Sequence, residues 1–398
     1  MPRFKYFLFL LVVLFNDSTT TLYAGEFSAE LGTNFRYFPQ EPNDPRQHGN
    51  IGIVTVLAEY YHDWDNGDQR FVFTPYLRIY EAPEERTDAD IQELYWRRAF
   101  SNVELSLGVR KYFWGKTESV HLVDIINQTD TVQDVDTEDK LGQPVIDVTL
   151  IRPWGDFSVY VMPYFRERRF PNAEGRLRFP TVVDTHNPVY ESSAEEKHVD
   201  YALRWSHFVG VWDLGLSWFD GTGREPRLVP QLNATGETVL IPHYDQITQF
   251  GTDIQATVGS WLWKFEAIHR NDQVGSFNSV ATGFEYTLYG VGGPADLGLL
   301  VELLWDDRND QATTPFQRDV FLGTRLAFND VQSTELLAGV IYDPEDESRF
   351  VLIEGSRRIG DRFKLQIEGR FFSNARPGTL LAGLNNDDFV EISLTTFF

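Results

Sequence analysis

The sequence predicts an all-β fold: a transmembrane, antiparallel, up-and-down β-barrel of about eighteen strands, with sixteen as the other possible count. Three observations predict it. Apolar and polar residues alternate along many segments, and the connections between these segments alternate between long and short. The third is the absence of Cys from all 398 residues, which leaves a closed hydrogen-bonded sheet, not disulfides, to stabilise the chain.

The alternating segments carry the period of two that is typical of strands with two unlike faces. Alternation is clearest after Phe27, Val103, Phe157, Trp261 and Phe363. Strands of nine or more residues are predicted to start near positions 27, 51, 69, 91, 102, 145, 157, 198, 211, 246, 261, 278, 297, 319, 333, 349, 362 and 387. The segments Ile91 to Phe100 and Ser348 to Ile359 alternate least, and without them the count is sixteen.

The connections strengthen the barrel prediction. The longest are Pro39 to Asn50, Gly115 to Pro144, Phe170 to Lys197 and Gly221 to Asp245, and tight turns such as Gly259-Ser260 separate them. Outer-membrane barrels have this asymmetry, with short periplasmic turns and long extracellular loops. A propeller would repeat at blade length, which the sequence does not do, and a soluble sandwich would keep one face of each strand wet.

Charge limits the partners. The chain has 35 Lys and Arg against 59 Asp and Glu, a formal net charge of −24. Binding to nucleic acid requires clustered basic residues, so the composition predicts no nucleic-acid partner. An acidic mouth would instead concentrate cations.

The N-terminal 24 residues are predicted to be a secretory signal peptide, which leaves residues 25–398 as the barrel. A basic start is followed by an apolar run from Tyr6 to Phe15 and a polar stretch that ends at Ala24. The alternative is an uncleaved anchor, but this run is about half of the roughly 20 residues that a spanning helix needs.

The C-terminal strand resembles that of Gram-negative outer-membrane proteins. Val390, Ile392, Leu394 and the terminal Phe398 share one parity. The resemblance implies an outer-membrane location, recognition of Phe398 by the barrel-assembly machinery, and surrounding outer-membrane lipid as a partner. Trp and Tyr residues near strand ends fit the aromatic girdles of such barrels.

If the apolar parity faces lipid, the other parity lines the lumen, because Arg or Lys at the bilayer midplane costs roughly 2 to 4 kcal/mol. By this parity fourteen cations and fifteen anions face inward, so the predicted lumen is nearly neutral. These charges could pair across strands or segregate to opposite walls. The residues predicted to line the pore are Arg36, Arg70, Arg78, Arg110, Arg166, Arg168, Arg204, Glu104, Asp147, Asp200, Asp253, Glu285, Glu302, Glu368 and Arg370.

The long loop at residues 114–144 is a candidate constriction loop. Its first half contains Val120, Leu122, Val123, Ile125 and Ile126, which are too apolar for a solvated loop, so it is expected to fold back against the barrel wall. The alternative is packing at the rim or on another subunit. Its candidate functional residues are Trp114, Lys116, Glu118, His121, Asp124, Asn127 and Asp130.

This loop is also similar to a family of largely uncharacterised barrels that are distantly akin to alginate-export-type porins. The similarity rests on Trp114-Gly115, Ile126-Asn127 and Asp130, whereas Lys116 stands where an acidic residue is expected. It implies an outer-membrane channel or export component.

No catalytic residues, cofactor or metal site are predicted. No His lies in a Ser/His pair on one strand face, and the acidic run from Asp130 to Asp139 lacks the Gly-containing spacing of an EF-hand calcium loop. Two functions remain open. One is a porin-like channel for small polar or cationic solutes; the other is a plugged barrel that serves as an export portal, receptor or assembly component for a lipid or polysaccharide.

Overall fold

The computed structural model describes residues 25–81, 88–309, 312–375 and 380–398, so the predicted signal peptide lies outside the described residues. The strands are β1 (Glu26–Tyr37), β2 (Ile51–Trp64), β3 (Gln69–Tyr80), β4 (Asp88–Ala99), β5 (Val103–Arg110), β6 (Gln143–Arg152), β7 (Gly155–Met162), β8 (Val189–Tyr190), β9 (Asp200–Val209), β10 (Trp212–Thr222), β11 (Arg227–Leu232), β12 (Thr238–Tyr244), β13 (Gln246–Val258), β14 (Trp261–Asn271), β15 (Ser276–Leu288), β16 (Asp296–Asp306), β17 (Val320–Ala327), β18 (Glu335–Tyr342), β19 (Arg349–Ile359), β20 (Phe363–Ser373) and β21 (Phe389–Phe397).

Eighteen of these strands form one closed antiparallel barrel. Each pairs with the barrel strand before and after it in the chain, and β1 closes the ring by pairing with β21, with Glu30 opposite Phe397 and Tyr37 opposite Val390. The predicted fold and the count of eighteen are confirmed. Every predicted start lies within three residues of an observed one. The two weakest predictions, β4 and β19, both form because each is hydrogen-bonded on both sides.

The outer face of the barrel is apolar. Phe35, Leu216, Phe250, Leu303 and Ile392 are each 50–53% exposed in the middle or outer parts of their strands. Exposed apolar side chains at alternate positions form the surface that hydrocarbon solvates and water does not.

The connections divide the barrel into a short-turn end, where β1 also begins and β21 ends, and a long-loop end. The short-turn end carries connections such as 153–154, 210–211 and 259–260. The long-loop end departs from the predicted alternation at two places, because residues 272–275 alone join β14 to β15 and residues 343–348 alone join β18 to β19. The first of these connections begins at Asp272. Asp272 makes this tight connection possible by accepting backbone hydrogen bonds from Val274 and Gly275.

A second sheet lies within the loops of the long-loop end. It consists of β8, β11 and β12, with β11 antiparallel and β8 parallel to β12. Tyr190 and Tyr244 from this sheet stack at 5.3 Å, and Phe165 packs edge-on against Tyr244 at 4.9 Å. Across the described ranges, no helix is both long and apolar enough to span a membrane.

The hydrophobic core lies inside the barrel, which the simple parity rule does not predict. Leu300, Leu304, Phe321 and Ile341 all point inward and are at most 5% exposed. They pack against chain that enters the lumen, so apolar residues stand among the predicted inward charges in this part of the wall.

The outward face can be tested by placing a charge on it. We expect Leu303→Arg to lower the free energy of unfolding in lipid vesicles by about 2–4 kcal/mol, because the cation would face hydrocarbon. The matched control is Val331→Arg in a short turn, where Val331 is 94% exposed. Equal stability of the two variants in reversible urea unfolding would contradict the assignment of this face to lipid.

Candidate functional site: the inserted segment and the lumen

The connection between β5 and β6 enters the lumen, and residues 111–142 are called the inserted segment below. Its residues bond to side chains on β1, β3, β10, β14, β16, β17 and β20. These strands are spread around the ring, so a segment that reaches all of them must cross the lumen. The prediction that it folds back against the wall is confirmed, and it reaches the far wall as well.

Glu266 on β14 is the main anchor on the far wall. Its Oε1 accepts hydrogen bonds from the backbone N of Lys116 at 2.5 Å, the backbone N of Thr117 at 3.0 Å and the Thr117 hydroxyl at 2.8 Å. Its Oε2 accepts one from the backbone N of Val123 at 3.3 Å. The Glu266 side chain is fully buried, so these donors replace its hydration.

Glu302 on β16 repeats the arrangement for the next residues. It accepts the backbone N–H groups of Glu118 at 2.8 Å and Ser119 at 2.9 Å, and the Ser119 hydroxyl at 2.6 Å. Gly115 allows the chain to come this close, since a Cβ there would lie 2.9 Å from His121 Nδ1 and 3.3 Å from Glu266 Oε1. The Trp-Gly pair in the sequence thus marks the point where the segment approaches the wall.

Ion pairs flank the two anchors. Lys116 Nζ bonds to Asp213 on β10. Glu118 bridges two cations, Lys264 on β14 at 3.3 Å and Arg325 on β17 at 2.6 Å. Lys116 and Glu118 therefore both meet opposite charges on the wall.

Hydrogen bonds also join the beginning and the end of the inserted segment to each other. The Asn127 side chain accepts the backbone N–H of Tyr112 at 2.8 Å and donates to the carbonyl oxygens of Arg110 at 2.9 Å and Leu141 at 2.8 Å. Asp124 accepts the backbone N–H of Trp114 at 3.3 Å and pairs with Lys140. Asn127 and Asp124 thus hold together the two stretches of the segment that enter and leave the lumen.

The second half of the segment bonds to the opposite side of the barrel. Arg370 on β20 contacts Asp134 at 3.0 Å, Asp136 at 2.9 Å and Glu354 at 2.8 Å. Asp130, which is almost fully buried, accepts from Arg78 on β3 at 3.3 Å and from Arg169 at 3.3 Å.

Apolar packing completes the insertion. Val123, Ile125 and Ile126 are at most 3% exposed and pack in one cluster with inward residues of β6, β7, β9, β10, β13, β14 and β15. Val120 and Leu122 pack against the cluster formed by the opposite wall. Trp114 is 4% exposed, beneath the Arg204 guanidinium at 4.8 Å.

An acidic cavity of about 270 Å³ remains between the second half of the segment and the wall. Its charged lining comprises Arg36, Arg78, Asp134, Asp136, Glu138, Asp139, Glu354, Glu368, Arg370 and Glu391. Seven carboxylates thus face three guanidinium groups. Burial, and then the neighbouring Asp134, raise the pKa of Asp139 to about 6 against the opposing effect of Arg78, and burial followed by Asp134 also raises the pKa of Asp136.

Other predicted residues form ion pairs on the wall. Arg36 bonds to Glu391 at 2.6 Å, Arg110 to Asp147 at 3.3 Å, Arg204 to Asp253 at 2.9 Å, Arg70 to Asp63 at 2.6 Å, Glu104 to Arg97 at 3.5 Å, Glu285 to Arg325 at 3.8 Å and Asp200 to Arg224 at 2.5 Å. The charges therefore pair across strands at most positions. That these side chains line an open pore stays a prediction.

Two predicted residues do not lie on a barrel strand. β7 ends at Met162, so Arg166 and Arg168 belong to the following loop, although the alternation of the sequence continues past the strand. Arg166 reaches Asp90 at 3.0 Å. The strand ends before Pro163, which has no N–H to continue the ladder. Phe165, on the parity expected to face lipid, is instead 1% exposed and packs against Tyr244 of the loop sheet.

His121 packs edge-on against Phe113 at 4.7 Å and lies 3.7 Å from Glu138. Burial alone would lower the pKa of His121, but the bond to Glu138 and the charge of Glu266 raise it overall. Within the described ranges, no group of three or more His, Asp or Glu side chains is arranged to hold a metal ion. The absence of a metal or cofactor stays a prediction.

Several residues that hold the segment are missing from the predicted site. Glu266, Asp213, Lys264 and Arg325 lie on the predicted inward face but are not distinguished there from other wall charges. Arg224 was not recognised, although it is 3% exposed and donates to the backbone oxygen of Ile126 at 3.2 Å as well as to Asp200. The sequence gives one indication that Arg224 is important, which is its position two residues after the end of β10.

Comparison with known proteins places this fold among outer-membrane barrels. The structure is similar to Wzi, an outer-membrane protein involved in group 1 capsule assembly in Escherichia coli and described as a carbohydrate-binding β-barrel, with 11% identity, coverage of 94% of this chain and 84% of Wzi, and a TM-score of 0.55. It is also similar to a BenF-like porin from Pseudomonas fluorescens Pf-5, with 10% identity, coverage of 95% and 99%, and a TM-score of 0.52.

No protein-family description matches the sequence, and no curated protein matches it. The predicted class, an outer-membrane-type β-barrel with porin-like architecture, is therefore confirmed at the level of fold. The closer similarity to alginate-export-type barrels stays a prediction.

The anchoring role of Glu266 predicts a local effect. Glu266→Gln should release the backbone around residues 116–123, because a charged acceptor worth roughly 1.5–3 kcal/mol per hydrogen bond becomes a neutral amide. We expect amide hydrogen exchange in this stretch to become at least about 30-fold faster, corresponding to about 2 kcal/mol. Glu285→Gln is the matched control, since the ion pair of Glu285 among the described residues is with the wall cation Arg325 and not with the segment. Similar exchange in both variants would contradict the anchoring role.

The pKa of Asp139 predicts a pH effect on the second half of the segment. Its value of about 6 in the folded state exceeds the ordinary 3.8, so the docked segment binds the proton more tightly than the released segment. Docking should therefore weaken as pH rises from about 4 to about 6, by up to roughly 3 kcal/mol. Exchange of residues 130–139, corrected for intrinsic rates, should be slower at low pH. The Asp136→Asn/Asp139→Asn double variant should lose most of this dependence, and an unchanged profile would contradict it.

Proposed function

We propose that this chain is an outer-membrane barrel held closed by the inserted segment, and that it acts as an export portal, receptor or assembly component and not as a general diffusion pore. One observation carries the proposal: two buried carboxylates on the far wall, Glu266 and Glu302, accept backbone N–H groups from the segment. Backbone groups bound in this way fix the path of the chain across the lumen.

The apolar packing supports the same proposal. The clusters around Val123 and Ile126 exclude water from the lumen on the β6 to β15 side. Hydrated ions cannot cross a packed apolar region without losing their water, which costs many kcal/mol. Passage of a solute would therefore require the segment to move.

The location and ligand follow as parts of the proposal. Exposed apolar side chains on alternate positions suit an outer membrane, and the predicted signal peptide would direct export. Wzi, with which this chain shares its fold, is described as carbohydrate-binding and involved in capsule assembly. A surface role toward a lipid or polysaccharide is proposed by that analogy of fold. The proposal includes no catalytic step.

A second function, the cation-selective channel, is favoured by the acidic cavity. Its seven carboxylates and three guanidinium groups leave an excess of negative charge in a space of about 270 Å³. A negatively lined passage concentrates cations and repels anions. Small cationic solutes are the class that this path would admit.

Planar-bilayer conductance under a salt gradient separates the two functions. The closed barrel predicts no stable current from the wild-type protein and large steps after residues 115–139 are replaced by a Gly-Ser linker. Glu266→Gln/Glu302→Gln should give intermittent openings, and Glu285→Gln should remain silent.

Heat-modifiable migration on gels would establish that every variant is folded. Stable, wide steps from the wild-type protein would overturn the closed barrel. Small cation-selective steps that lose their selectivity in Glu354→Gln/Glu368→Gln would instead establish the second function.

A further inference from the structure

A second cavity, of about 290 Å³, lies on the long-loop side of the inserted segment and is called the vestibule cavity here. The segment forms its floor with residues such as Leu122 and Ile125, and the loops after β7, β10 and β16 form its walls. Its lining differs in chemistry from that of the acidic cavity, because most of its lining surface is apolar. Six Phe side chains contribute to it: Phe170, Phe179, Phe277, Phe316, Phe350 and Phe372.

The vestibule cavity brings several cations to a mostly acidic chain. Its cations are Lys140, Arg168, Arg178, Arg224, Arg270 and Arg308, and its anions are Asp124, Asp136, Glu225 and Asp306. Arg178 and Arg224 also meet carboxylates beyond the lining, Asp44 and Asp200. The cavity can therefore attract an anion only through a cation that has no carboxylate partner of its own.

Five of the six cations already have a carboxylate partner. The pairs are Lys140 with Asp124 at 3.3 Å, Arg178 with Asp44 at 2.9 Å, Arg224 with Asp200 at 2.5 Å, Arg270 with Glu225 at 3.3 Å and Arg308 with Asp306 at 2.7 Å. Arg168 is the exception. Among the described residues no carboxylate lies within ion-pair distance of it, and its guanidinium donates only a long 3.4 Å hydrogen bond to Gln128.

The surroundings of Arg168 hold it in place as a cation without a counterion. Its backbone N donates to the Tyr244 hydroxyl at 3.0 Å, which fixes it to the small sheet of the long-loop end. Glu225 is the nearest source of negative charge, but Glu225 is shared with Arg270 and Arg308. Arg168 is partly exposed and lines the cavity. Burial lowers the pKa of its guanidinium, and the charge of Glu225 opposes this effect.

We propose that the vestibule cavity binds an anionic amphiphile, with the headgroup on Arg168 and the hydrocarbon part against the Phe-rich wall. A guanidinium binds a carboxylate or a phosphoryl group through paired N–H donors, and the apolar lining supplies the remaining affinity. A neutral sugar would leave the Phe faces and the Arg168 charge poorly matched. The volume fits a small ligand, at the lower end of the roughly 300–1,000 Å³ of ligand pockets.

This inference goes beyond the proposed function. It requires the inserted segment to be in place, because the segment forms the floor of the cavity, but it does not require the segment to block conduction. Failure of one is therefore distinguishable from failure of the other. The conductance experiment reports on the inserted segment, whereas ligand binding reports on Arg168 and the loop wall.

The test is isothermal titration of the full mature chain in lipid nanodiscs, with empty nanodiscs as the blank. Octanoate and octyl phosphate are the probes, and octan-1-ol is the neutral control of the same chain length. We expect saturable binding of at least one anion, at least about tenfold tighter than octan-1-ol, which matches one charge-assisted hydrogen bond. The tighter anion identifies the headgroup class.

Variants locate the site. Arg168→Gln should weaken anion binding at least about tenfold while Arg168→Lys retains part of it, as expected for loss of a charge-assisted contact. Phe316→Ala should weaken both anions and octan-1-ol. Arg318→Gln is the matched control, because Arg318 is an exposed loop cation paired with Glu345 outside the lining.

Two results would overturn the proposal. One is equal affinity for octanoate, octyl phosphate and octan-1-ol, which would reduce the cavity to a nonspecific apolar surface. The other is unchanged anion binding in Arg168→Gln. If Arg168→Gln does not fold, the affinities of Phe316→Ala and of the wild-type protein for the anions are compared instead. Unchanged affinity in Phe316→Ala would then overturn the proposal, because loss of the wall must weaken a ligand that lies against it.

Discussion

The interior of this barrel depends on the hydrogen bonds between two wall carboxylates, Glu266 and Glu302, and the backbone of the inserted segment. An ionised carboxylate without water or donors is costly, so these wall positions are stable only while the segment supplies its N–H groups. The segment in turn has apolar side chains that are stable only inside. Wall and segment therefore require each other, and both are satisfied when the segment is inserted.

The charges inside the barrel both pair and segregate. Most wall ions meet a partner within hydrogen-bond distance, as Arg36 does with Glu391. The remaining charge is unevenly distributed. Carboxylates are in excess in the acidic cavity, whereas the vestibule cavity holds one cation, Arg168, that has no ion-pair partner among the described residues. A molecule in the vestibule cavity therefore meets different chemistry from one in the acidic cavity.

The fold and the function have different sources in this chain. Alternation and closure are what a lipid environment demands of any barrel, and they are shared with proteins of only 10–11% identity. The inserted segment, the small sheet and the loop cations have no such general cause. The function of this protein therefore depends on the contacts of those elements and not on the barrel alone.

The sequence by itself determined the position of the strands and left their number at eighteen or sixteen, because a period of two and tight turns are local signals. The weakly alternating segment from Ile91 to Phe100 forms β4. The tertiary structure decided the rest. It ended β7 before Arg166, where the alternation continues but Phe165 packs against Tyr244, and it joined Glu266 to Lys116 across 150 residues of sequence. Parity tells which way a side chain faces, whereas its partner is set by what enters the lumen opposite it.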